Sequence, residues 1–149
     1  MKAWPHPPKT VAATVLLVLI SVSGCSSGPS WPPDRATPAV KAEEARLAVL
    51  IGADTSIHGE PAACTVRLFG QQAGASFVWA LCVATGPTGA AASLPLRVDG
   101  SKITKPGDGS MYAVSVRQMF PAGLAEFFIK NTGTSAVLPS AAPPGFPGG

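Results

Sequence analysis

Beyond residue 24 the chain carries three cysteines, Cys25, Cys64 and Cys82, and one histidine, His58. A thiol can be alkylated to a thioether, oxidised against a second thiol, or ionised as a nucleophile. His58 sits in the stretch 53–63, between Asp54 and Glu60. A small exported hydrolase would have to be built on His58, those acids and one of the serines. A zinc site needs further ligands at set spacings, which are absent here, so no metal and no other cofactor is expected. Adjacent Glu43 and Glu44 would act as acid and base only if both aimed at one substrate, yet neighbouring helical side chains diverge by about 100°. They read as a solvated helix face. Pro106-Gly107-Asp108-Gly109 lacks the Gly-Lys-Ser/Thr continuation that holds phosphate, and reads as a turn. No catalytic set is assembled, and the chain reads as a non-enzyme.

Cys25 comes after an N-terminal segment with its own logic. Lys2 and Lys9 precede an apolar run over 11–22 that ends in the small residues Ser23 and Gly24. This is the form of an export signal, and the run falls short of the roughly 20 apolar residues of a membrane-spanning helix. Val22-Ser23-Gly24-Cys25 resembles the lipobox of bacterial lipoproteins. The resemblance implies a diacylglyceryl thioether on Cys25, cleavage before it, and anchorage to the cell membrane on its extracytoplasmic face. Two acyl chains give a firm anchor where one is marginal, because each buried methylene contributes about 0.8 kcal/mol.

Composition bounds the part of the chain beyond the anchor. Removing Lys2 and Lys9 from eleven basic residues leaves nine against eight acids, which gives no reason to expect nucleic-acid binding. Sixteen Gly and sixteen Pro gather toward the ends and loops. The expected organisation is a signal peptide over 1–24, a lipidated N-terminus and linker over 25–36, one domain over 37–131, and a disordered Pro/Gly/Ala tail over 132–149.

Within 37–131, Thr37-Pro38 is a helix start, with Thr as N-cap and Pro at the first helical position. The helix is expected to run to about Ile51, with Val40, Leu47, Leu50 and Ile51 on one face and Gly52 as a stop. The stretches 64–70 and 77–83 are rich in β-branched and aromatic residues and flank a turn. A hairpin centred near Ala73 sets Cys64 opposite Cys82, Val66 opposite Ala80 and Leu68 opposite Val78, all on one face. That register, in an exported chain whose third cysteine is used for lipid, predicts a Cys64–Cys82 disulfide. The second strand is apolar on both faces and should be central.

A third strand over 91–98 carries Leu94, Leu96 and Val98 inward and, through Pro95, lies toward an edge. Asp99-Gly100 turns the chain into a short fourth strand. A helix capped by Asp108 or Ser110 should present Met111, Val114 and Phe120 to the sheet, and Phe120-Pro121 ends it. Leu124, Phe127 and Phe128 fit another helical turn. The fold class expected is α+β, an N-terminal helix packed on a small antiparallel meander sheet with one or two short C-terminal helices. This order, with Phe-Val-Trp-Ala-Leu-Cys in the hairpin, is similar to small, mostly uncharacterised lipoproteins of high-GC Gram-positive bacteria. The resemblance brings no catalytic residues. The function expected is an extracytoplasmic, envelope-associated binding lipoprotein. Its partners would be the bilayer, through Cys25, and an envelope protein or small apolar ligand at the two-sided apolar sheet or its loops. A surface lipoprotein without a specific ligand is the structural alternative.

Overall fold

The strand Ala75–Ala84 (β2) is buried at all ten positions, and the remaining elements cover it from four sides. The computed structural model describes residues 32–141, 143, 145 and 146. A helix Pro38–Ala53 (α1) precedes strands Ala62–Gln72 (β1), β2, Ala91–Asp99 (β3) and Lys102–Thr104 (β4). A 3₁₀ turn at Gly109–Met111 leads into helices Tyr112–Met119 (α2) and Ala122–Asn131 (α3). The strands form one antiparallel sheet in the order β1-β2-β3-β4, so the domain is α+β.

The β1–β2 register pairs Cys64 with Cys82, Val66 with Ala80 and Leu68 with Val78, as the hairpin pattern predicts. Cys64 and Cys82 are joined in a disulfide. Past Leu68 the register shifts by one at a β-bulge, and the turn falls on Ala73 and Gly74, both in the left-handed region (φ 51° and 82°). That geometry suits a two-residue hairpin loop.

Ladder parity explains the two long edges. The Thr85 N–H donates to Pro61 O, extending the β1–β2 ladder, so Cys64, Val66 and Leu68 turn their backbone groups away from β2. On the other side the Ala84 N–H donates to Ala90 O, which leaves Pro95 among the outward-facing residues of β3. β4 pairs only with Arg97–Asp99, so Pro95 lies on open edge and its missing N–H costs no ladder bond.

Each face of the sheet has its own core. Leu47 and Ile51 of α1 pack on Val66, Leu68, Val78 and Leu96. On the opposite face Phe69, Phe77 and Trp79 meet Val116, Phe120 and Phe128 from α2, α3 and the turn between them. Phe128 is the hub, with Phe69, Phe120 and Trp79 edge-on at centroid distances of 4.9, 5.0 and 5.5 Å. The buried Trp79 indole N–H donates to Ser93 Oγ at 2.9 Å, which satisfies the one polar group that this ring brings into the core.

Four expectations change. Gly52 does not stop α1, which continues to Ala53; an added Cβ at residue 52 would stand 2.4 Å from Ala62 O, so glycine lets the helix lie against β1. Met111 and Val114 are 56% and 43% exposed, and α2 turns Val116 and Met119 inward instead. Asp108 makes no capping bond; Ser115 Oγ instead accepts the Gly107 N–H.

The expected disordered tail is the fourth. Residues 132–141 form turns, and Val137 is fully buried beside the aromatic cluster. Arg67 Nη1 donates to Ala136 O and Leu138 O, so the tail is held through backbone carbonyls that composition does not reveal. The end of the expected linker is also built in: Asp34 O accepts the Thr37 N–H, and Arg35 reaches Glu44 on α1 and Ser140 in the tail.

Gly52→Ala is expected to lower stability by about 1–3 kcal/mol in chemical denaturation, overpacking against the Ala62 carbonyl outweighing alanine's better helix propensity. The double variant Cys64→Ala/Cys82→Ala, which opens a loop of sequence separation 18, should lose about 3 kcal/mol in the same measurement.

Candidate functional site

The residues singled out for chemistry are mostly engaged in structure. Glu44 is buried rather than on a solvated face. Its carboxylate accepts Arg35 Nε and Nη2 at 2.9 and 2.8 Å, and its Oε1 also accepts the outward-facing Leu68 N–H at 2.8 Å. A buried carboxylate is tolerable only when so paired, and breaking such a pair costs about 3–5 kcal/mol. Glu43 accepts Arg46 from α1 and both Gln71 and Ser76 from the β1–β2 hairpin. The two glutamates therefore tie α1 to the hairpin, one to the strand backbone and one to its side chains. They diverge as adjacent helical residues must.

His58 lies half-buried in the α1–β1 loop, with Nε2 shielded and without a hydrogen-bond partner among the described residues. Its neighbours in sequence point elsewhere. Asp54 Oδ1 accepts the Ser56 N–H, and Glu60 accepts the Thr88 hydroxyl in the β2–β3 loop. Among the described residues no three of His, Cys, Asp and Glu are grouped as a metal cluster. Cys25 and the residues Val22, Ser23 and Gly24 before it lie outside the described residues.

Since helices or the tail occupy both faces of the sheet, neither face is free as the apolar surface expected to meet a partner. There remains a cavity of about 320 Å³ lined by Pro32, Phe69, Gly123, Leu124 and Phe127. Phe69 comes from β1 just where the bulge begins, and its ring stands 5.6 Å from that of Phe127. Gly123 and Leu124 come from the first turn of α3, and Pro32 is the first residue described. Among the described residues that line it, no side chain carries a charge or a hydrogen-bonding group.

Gly123 is an exposed part of the cavity wall, and a Cβ there would meet nothing within 4 Å. Glycine inside a helix costs about 1 kcal/mol relative to alanine. That cost was visible in the sequence, and an isolated glycine in a helical pattern is the signal that sequence reasoning passed over. A second depression of about 390 Å³ runs between α1 and β1 beside Cys64, but it is a shallow trough over Ala48, Ala53, Ala62 and Ala63 rather than a pocket with walls. Next to it, between Lys41 and Thr65, a hollow of about 250 Å³ exposes the rim of the Arg35–Glu44 pair.

In comparisons with known proteins, no family model, curated protein or solved structure matched the chain.

Electrostatics at the α1 end is acid-sensitive. Hydrogen bonds from Arg46, then Ser76 and Gln71, hold the Glu43 carboxyl below its ordinary value of 4.5 against the opposing cost of burial. A carboxyl depressed by folding takes its proton first in the unfolded chain. Its contribution is present above 4.5 and is lost as pH falls through the lower, folded value. Thermal unfolding of the wild type should therefore show stability falling in that window, and Glu43→Gln should make the fall shallower. Asp99, held down by Arg97, and Glu126, held down by Arg117, keep the remainder of the slope.

Proposed function

We propose that the chain is an extracytoplasmic lipoprotein, anchored to the cell membrane by a diacylglyceryl group on Cys25, whose domain is a non-catalytic binding module. The observation that carries this reading is Val22-Ser23-Gly24-Cys25 at the end of an apolar run with basic residues before it. The Cys64–Cys82 disulfide supports it, because such bonds persist in exported, oxidising compartments. No helix among the described residues is long and apolar enough to cross a membrane. The apolar cavity supports a small apolar ligand over the envelope protein as the partner. The engagement of Asp54 and Glu60 away from His58 favours binding over hydrolysis.

Mass spectrometry of protein recovered from membranes should find Cys25 as the new N-terminus carrying a diacylglyceryl group. Cys25→Ala should release the protein or stall it as a precursor. Mature protein that retains residues 1–24, or an unmodified Cys25, overturns the anchor.

A further inference from the structure

We propose that the cavity between β1 and the first turn of α3 takes one acyl chain of a membrane lipid. The inference rests on the lipoprotein reading for its source of ligand and on the cavity itself for the ligand's chemistry. Phe69, Leu124, Phe127, Pro32 and Gly123 offer carbon surface and no polar side chain. A peptide segment entering there would bring N–H and C=O groups for which those side chains offer no partner, and burying such groups unpaired is unfavourable. An alkyl chain brings none.

Size agrees. An apolar cavity of about 150 Å³ accommodates benzene, so 320 Å³ has room for roughly twice as many carbons, about a dozen. That is a length of single alkyl chain, too little for two chains or for a sterol-sized ring system. The volume also lies at the lower end of small-molecule sites, about 300–1,000 Å³.

Position supplies the source. Pro32, on the cavity wall, is seven residues after Cys25. Seven extended residues span at most about 25 Å, so a lipidated Cys25 cannot let the cavity stand farther than that from the anchor point at the bilayer surface. The tether that would hold the protein to the membrane thus begins at the wall of this apolar cavity.

The test uses dodecanoate as the probe and the purified mature protein, with binding followed by native mass spectrometry and titration calorimetry. The wild type is expected to bind one dodecanoate. Gly123→Phe, at a position open enough to take a side chain without strain, should weaken binding at least tenfold while leaving the thermal transition cooperative. Phe127→Ala, which widens the cavity, should move the preference from dodecanoate to tetradecanoate and keeps the proposal testable if Gly123→Phe does not fold. Absence of binding to the wild type, or equal binding by wild type and Gly123→Phe, overturns the proposal. A tenfold gain in affinity on Trp31→Ala would identify the chain's own Trp31 as the occupant and overturn it as well. Dodecanoate binding is read whether or not Cys25 carries lipid, so its failure is distinguishable from failure of the anchor, which is read from the mass of residue 25.

Discussion

A strand with large apolar side chains on both faces has to be covered twice, and the architecture follows from that constraint on β2. Val78 and Ala80 face α1, while Phe77 and Trp79 face the C-terminal helices, so neither layer can be removed without exposing half of the strand. The two layers reach the sheet from opposite ends of the chain. α1 comes before the first strand and α2 and α3 after the last, which lets four strands pair in simple sequence order with no crossover between them. Local hairpins then account for the sheet, and the helices add long-range contacts to it.

The two layers are held by different physics. On the C-terminal side, aromatic packing around Phe128 dominates: truncating a buried phenylalanine typically costs about 3–5 kcal/mol. The Arg117–Glu126 pair between α2 and α3 is exposed on both sides, so solvent screens it and it adds little. On the α1 side the aliphatic core is supplemented by polar ties that are largely out of solvent. Glu44 takes the Leu68 N–H from the strand edge, which α1 also approaches closely at Gly52. One effect of these contacts is to make β1 a poor template for a further strand, since an outward backbone donor is already used.

Much of the sheet was legible because period-two patterning and a single pair of cysteines fix register strongly. Shifting β1 by one residue would turn Val66 and Leu68 out of the core and separate Cys64 from Cys82. The helix start at Thr37-Pro38 was legible for a similar reason, and Thr37 Oγ1 does accept the Val40 N–H. Glu44 was not, because its burial depends on Arg35 and on a strand N–H that sequence spacing cannot bring together. Val137 was hidden in a stretch without apolar period, since one buried side chain and two carbonyls bonded to Arg67 suffice to hold it. The cavity was legible only as a glycine in the wrong place. Its other walls read as ordinary core, and whether core residues close over each other or leave a gap is a property of three-dimensional packing.

The contact between Arg35 and Ser140 ties the start of the described chain to the tail. Further along, the chain returns to the end of β2, where an added Cβ at Gly145 would stand 3.7 Å from Val83 Cγ1. The exposed turns at Ala73-Gly74 and Gly100 are positions where an insertion is compatible with every layer of the fold.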